Sequence, residues 1–294
     1  MKKNIPNRTK KVLNKLFDAA ENPSQLFLSD GERMKALYKM IGAKAAGWQK
    51  PVSCMYRGCS KPSIAKSHTI QRSGPISQLL EDGHVVTPRF LDGELKIKSI
   101  GASDASTFPG FCSEHEAIFR PFETTSTIST REHVDLQAFR TICREIRRKR
   151  YDIQHQESLL ADLAARLEDM GNREASRRKI EFQSVTVNGG AFGRLKEAIE
   201  RGKQVIDRLE NLYNLHFDAI DKQSETQLAG YVAQINIAFP VALSGIIEHH
   251  AKSGNISTWI AGVIPQGGGT LMCGLFSDRD CARKVLQLCA NRIL

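Results

Sequence analysis

Long apolar runs are missing from this 294-residue sequence. A membrane-crossing helix needs about 20 predominantly apolar residues, so the sequence offers no candidate for one and the expectation is no membrane partner. The opening Met1-Lys-Lys-Asn-Ile-Pro-Asn7 is basic but has no apolar stretch behind it, which is the wrong pattern for a secretory leader. The expected location is therefore the cytoplasm, where the few cysteines, seven in all, favour metal binding over disulfides. Neither repeats nor low-complexity segments interrupt a composition that is 41% hydrophobic and 25% charged, as in globular chains. Gly267-Gly268-Gly269 is not followed by Lys-Ser or Lys-Thr, so it reads as a hairpin turn and not as a phosphate loop.

Charge is present but unevenly placed. Residues 1–72 hold 15 Lys and Arg against 4 Asp and Glu, whereas residues 73–294 hold 27 against 28. The net charge of +10 thus resides in the N-terminal quarter. A basic surface attracts phosphate backbones without reading sequence, although lysine-rich helices also serve as solvated faces. A second basic run, Arg147–Arg150, lies on a helical pattern where Asp152 and Glu157 partly balance it.

Periodicity divides the chain into three segments: a basic helical arm over 1–49, a compact module over 50–125, and a helical plus α+β region over 126–294. In the arm, Val12, Leu13, Leu16, Phe17 and Ala20 predict a helix over 7–21, ended by Asn22-Pro23, and a second helix begins after Ser29-Asp30 and runs to about Gly42. In the module, residues 64–70 predict a short strand, 76–80 a helical turn, and 84–90 with 94–100 a hairpin turning at Asp92-Gly93. Beyond it, Leu136, Phe139, Ile142, Cys143 and Ile146 mark a helix from Thr130 to about Met170, with a break at Gly171-Asn172. A strand over 180–187, a helix over 191–222, apolar strands around 231–241, 259–264 and 270–276, and a last helix from Asp278 to Arg292 complete the pattern. The fold class predicted is α+β, with helical segments beside a C-terminal antiparallel sheet.

The chemistry concentrates in the module. Cys54-x4-Cys59 is followed by Cys112-x2-His115, a thiolate and imidazole set suited to tetrahedral Zn2+. Arg57-Gly58 suits a tight knuckle between the first two sulfurs. The order knuckle, strands, then a helix start carrying the last two ligands is that of a treble clef. Four protein ligands leave no open position, so such a zinc would be structural. Between the pairs stands Ser67-His68. His68 is open to three readings: general base, hydrogen-bonded core residue, or zinc ligand in place of His115. Asp104 and Glu123 are candidate Mg2+ ligands by proximity, His84 opens a strand, and His249-His250 reads as a solvated pair near a helix end. Cys143, Cys273, Cys281 and Cys289 sit among apolar residues and read as small buried hydrophobes.

Taken together, Cys54-x4-Cys59, Ser67-His68-Thr69-Ile70 and Phe111-Cys112-x2-His115-Glu116 resemble the zinc-bearing branch of the HNH (ββα-metal) endonucleases. The resemblance covers about 70 residues. It implies that His68 activates water, that Glu116 takes the place of the final metal-binding histidine, that the zinc ligands shape the fold, and that a separate Mg2+ or Mn2+ sits on the scissile phosphate of DNA. The chain departs from that pattern at four points: Ser67 stands where an acidic residue or histidine is usual, no Asn occurs between His68 and Cys112, His115 replaces a cysteine, and Glu116 a histidine. The layout is also similar to bacterial proteins that accompany anti-phage defence systems. Three functions follow as expectations: a metal-dependent nuclease whose C-terminal region regulates it or binds a protein partner, a non-catalytic zinc module that binds nucleic acid or a protein, or a scaffold or sensor acting through residues 180–294.

Overall fold

The computed structural model describes residues 6–91, 94–181, 184, 187–250, 255–279, 282–283 and 287. In chain order the elements are α1 (Asn7–Glu21), α2 (Asp30–Gly47), β1 (Ser67–His68), β2 (His84–Leu91), β3 (Glu94–Gly101), β4 (Thr107–Phe108), α3 (Arg120–Glu123), α4 (Arg131–Arg178), α5 (Gly190–Asp221), β5 (Ala229–Ile235), β6 (Leu243–His250), β7 (Ile256–Gln266) and β8 (Gly269–Phe276). The class is α+β, as the sequence predicts. Two compact units result, Met1–Trp48 with Lys149–Asp207, and Gln49–Arg148 with Arg208–Leu294. These cut the chain differently from the three consecutive segments read in sequence, because α4 and α5 each contribute residues to both units.

In the first unit, α1 buries Val12, Leu16, Ala19 and Ala20 and half-buries Leu13, whereas Phe17, expected on the same face, is 56% exposed. The buried residues pack with Leu26, Leu163, Leu167 and Phe192 into one apolar cluster. Leu159 and Leu160 of α4 pack against the same cluster. Helix α2 starts at the predicted cap: Ser29 Oγ accepts from the Glu32 amide at 3.2 Å, and the Glu32 carboxylate accepts from the Leu28 amide at 2.8 Å. The predicted break at Gly171-Asn172 does not occur, since α4 continues to Arg178. A helical glycine costs about 1 kcal/mol, and burial of Leu167 before it and Ala175 after it outweighs that. The strand expected over 180–187 is likewise absent at residues 180, 181, 184 and 187; the rest of that stretch lies outside the described residues.

Among the described residues, the second unit holds all the strands. Its four-stranded antiparallel sheet has the order β5-β8-β7-β6. The central β7 and β8 are mostly buried, and Gly267 and Gly268 turn between them with φ of 58° and 76°. Two consecutive positive φ angles are what a two-residue turn matched to strand twist requires. The Gly triplet is thus the hairpin turn expected. Strand β6 was not foreseen, and it places His249-His250 at a strand end, not near a helix end. The Gln266 side chain ties the sheet to the entry of α4 by accepting from the Ile128 amide at 2.9 Å and donating to its carbonyl at 3.1 Å. The hairpin β2–β3 pairs from His84↔Gly101 to Leu91↔Glu94; its predicted turn, Asp92-Gly93, lies outside the described residues, as does most of the stretch after Asp278, with Cys281 and Cys289. Beneath the β1–β4 pair, Phe108, Phe111, Phe119, Phe122 and Phe139 are fully buried and form the floor on which the candidate site rests.

Candidate metal centre and the histidine strand

The knuckle forms for local reasons. Gly58 takes φ +79°, the Cys59 amide donates to the Tyr56 carbonyl at 3.1 Å, and the Cys54 amide donates to the Lys61 carbonyl at 2.9 Å. On the far side of the module, fully buried Phe111 anchors Cys112, and the Glu116 amide donates to the Cys112 carbonyl at 2.9 Å as the chain turns helical through His115. These two pieces bring the ligand atoms of Cys54, Cys59, Cys112 and His115 all within 4.8 Å of one another, a set that could hold a metal ion. His115 Nδ1 lies 3.6 Å from Cys54 Sγ and 3.3 Å from Cys112 Sγ, and Cys59 Sγ lies 4.0 Å from Cys112 Sγ. His115, and not His68, completes the set.

The surroundings hold these ligands in place. The Tyr56 ring stacks on His115 with centroids 4.0 Å apart and planes 5° from parallel. The end of α5 grips the knuckle: Tyr213 donates its hydroxyl to the Met55 carbonyl at 2.5 Å, and Arg57 bonds Asp218 and Asn214 at 2.8 Å each while lying 4.3 Å from the Phe217 ring centre. Burial pushes the Cys54 thiol up to about 11. Burial also acts upward on Cys112, but the amides of His115 and Glu114 and the neighbouring thiols donate to its sulfur and hold it below the usual thiol value. Cys112 is thereby closer to its thiolate form than Cys54.

His68 sits on β1, opposite Thr107 of β4. Its Nδ1 is 3.0 Å from the Ala105 carbonyl oxygen. A carbonyl only accepts, so Nδ1 carries the proton and Nε2 the lone pair. Burial lowers the His68 pKa below its ordinary value, opposed by the bond to the Ala105 carbonyl and reinforced by the Arg140 and Arg72 charges, which favours the neutral ring. Among the described residues nothing bonds Nε2.

Beside this histidine is an ion triad. Arg140 has no solvent exposure, and its Nη2 lies 2.7 Å from Oε1 of Glu116 and 2.7 Å from Oε1 of Glu123. Its guanidinium lies 3.9 Å from the Phe119 ring centre. The second Glu116 oxygen is buried and has no hydrogen-bond partner. Burial raises the Glu116 pKa, against the opposing pull of the Arg140 charge and the Ser67 hydroxyl.

Of the other sequence candidates, Glu123 belongs to this triad, whereas Asp104 is exposed and paired with Lys66 at 2.6 Å. His84 is exposed and bonded to the Asp82 carbonyl at 2.8 Å. Within the Arg147–Arg150 run, Arg148 pairs with Glu145 at 2.5 Å. Sequence reading missed Arg140. The signal was present: Arg140 stands one turn after Leu136 on the apolar face of α4, where an unpartnered charge would be costly. No protein-family model, no curated protein and no solved structure matches this chain.

Proposed function

We propose that Cys54, Cys59, Cys112 and His115 hold a structural Zn2+ and that the module they organise hydrolyses phosphodiester bonds in DNA. Tetrahedral zinc with ordinary bond lengths sets ligand atoms about 3.6 Å apart for sulfur and nitrogen and about 3.8 Å apart for two sulfurs. The separations of 3.3 and 3.6 Å, and of 4.0 Å, fit those edges. Thiolate and imidazole donors also favour zinc over the hard cations Mg2+ and Ca2+.

The observation that carries the nuclease reading is the hydrogen bond from His68 Nδ1 to the Ala105 carbonyl. It fixes the neutral tautomer and leaves Nε2 able to take a proton from water as a general base. The buried, unpartnered Glu116 oxygen, with Glu123 beside it, suits a divalent cation such as Mg2+ or Mn2+. When bound there, such a cation supplies charge stabilisation to the scissile phosphate and its leaving oxygen. Arg140 holds the two carboxylates at a fixed spacing, and the basic residues of 1–72 draw the phosphate backbone.

One observation favours a second reading. Arg140 already neutralises both carboxylates from within the fold, the role a divalent cation would otherwise fill. In that case the zinc module binds nucleic acid without cutting it. Plasmid cleavage with Mg2+ or Mn2+, comparing the wild-type chain with zinc-replete His68→Ala, separates the two. The nuclease reading expects nicking that the variant loses. Absence of nicking by a zinc-loaded, folded wild-type chain that still retards DNA on a gel selects the binding module.

A further inference from the structure

Helix α2, in the unit of Met1–Trp48 and Lys149–Asp207, has 18 residues and buries none of them. Its large apolar side chains nonetheless follow strict helical spacing. Met34, Leu37, Tyr38 and Ile41 recur at i, i+3, i+4 and i+7, and they are 37, 40, 58 and 38% exposed. That spacing aligns them in one stripe, the face a helix ordinarily turns to its own core. Here α2 is held by other contacts. The Tyr151 hydroxyl donates to the Lys44 carbonyl at 2.6 Å, Lys44 pairs with Asp152 at 2.6 Å, and Glu32 pairs with Arg166 at 2.8 Å.

The stripe runs into a cleft of about 550 Å³ that shares Ile41 with it and is lined further by Met40, Ile153, Leu159 and Val205. Gly202 lets the Ile153 side chain pack closely at the cleft wall, since a Cβ there would lie 3.0 Å from it. The charged side chains lining the cleft are mainly basic, although Arg201 among them pairs with Glu197 at 3.5 Å. Lys149 and Arg201 line the cleft, whose carboxylate, Asp152, is already engaged by Lys44. Lys35 and Lys39 are exposed on α2, and neither they nor Lys149 form an ion pair among the described residues.

We infer that α2 and this cleft form a docking groove for an acidic amphipathic helix of a partner protein. Anchors at i, i+3, i+4 and i+7 are how one helix lies along another apolar surface. The stripe from Met34 to Ile41 is about 10 Å long, two helical turns, so a partner helix of two or three turns covers it. Acidic side chains flanking the partner's apolar face meet Lys35 and Lys149. A second copy of α2 would set Lys35 and Lys39 against like charges. A lipid surface would leave the concave cleft unfilled, and a phosphate backbone would leave the four apolar side chains wet.

Selection from a displayed library of helix-constrained random peptides against the full chain tests this. Expected are binders with apolar residues at i, i+3, i+4 and i+7 flanked by Asp and Glu. Tyr38→Asp and Ile41→Asp should each weaken them at least tenfold, and Lys35→Glu with Lys39→Glu should weaken them several-fold and flatten their salt dependence. The charge-reversed variant alters only exposed positions, so it keeps the test valid if an apolar substitution disturbs folding. The inference is overturned if no peptide is enriched, if enriched peptides lack the acidic pattern, or if their affinity ignores these substitutions. It is overturned equally by a wild-type dimer in sedimentation that Ile41→Asp makes monomeric, or by anionic vesicles whose binding Ile41→Asp abolishes.

Discussion

Arg140 reaches Glu116 at 2.7 Å from a side chain with no exposure to solvent. Breaking a buried pair by removing one partner leaves the other charge desolvated and costs about 3–5 kcal/mol. Arg140→Met should therefore destabilise the chain by about 3 kcal/mol or more, read as a lower urea midpoint. Arg140→Met combined with Glu116→Gln and Glu123→Gln should recover much of that loss. A single variant as stable as wild type would show that the triad is not holding this part of the fold.

The metal cluster makes its own prediction. Cys112→Ser should lose the bound metal and lower the melting temperature, with elemental analysis falling from one zinc per chain toward none. Structural zinc contributes folding free energy on the order of 10 kcal/mol in small modules. Cys273→Ala, which removes a buried thiol outside the cluster, should keep its zinc. Equal zinc content in all three proteins would place the metal elsewhere.

His216 predicts a pH dependence. It is fully buried 4.0 Å from Asp135, and neither ring nitrogen has a hydrogen-bond partner. Asp135 is engaged by the Thr226 amide and hydroxyl and by Arg131. Burial pushes the His216 pKa below its ordinary 6.5, the Asp135 charge opposes this, and the Arg131 charge reinforces it. The unfolded chain then binds the proton that the folded chain refuses. Stability should fall as pH drops below about 6.5, with a slope of up to about 1.4 kcal/mol per pH unit from this group. His68 acts in the same direction, so the comparison with His216→Leu isolates the effect. Urea titrations at several pH values should give a shallower slope for the variant, and identical slopes would sink the assignment.

Backbone conformation separates glycines that look alike in sequence. Gly267 and Gly268 have positive φ, whereas Gly42 lies within α2 with nothing within 4 Å of an added Cβ. Gly267→Val and Gly268→Val should each cost about 1–2 kcal/mol. Gly42→Ala should stabilise by about 0.5–1 kcal/mol. Thermal unfolding of the three variants checks the sign in each case.

Sequence by itself determined what depends on near neighbours. The apolar spacing of Val12, Leu16 and Ala20 set α1, and Ser29 with Glu32 set the start of α2, because helix geometry and capping act within a few residues. The turn at Gly267-Gly268 was legible for the same reason. The four ligand candidates were legible because thiols and imidazole declare their chemistry by residue type.

Only the tertiary structure decided which of these groups meet. It brought Cys54 to Cys112, chose His115 over His68 for the ligand set, and gave His68 the Ala105 carbonyl as its partner. It carried α4 through Gly171, since burial against distant segments outweighs a local preference worth about 1 kcal/mol, and it paired β6 with β7 at the edge of the sheet. It also turned Arg140 into the link between Glu116 and Glu123, a relation among residues far apart in the chain that no local period records. Ligand type and helix register are properties of short segments. Pairing across the fold is fixed by which distant apolar faces exclude water together, and the charges must follow.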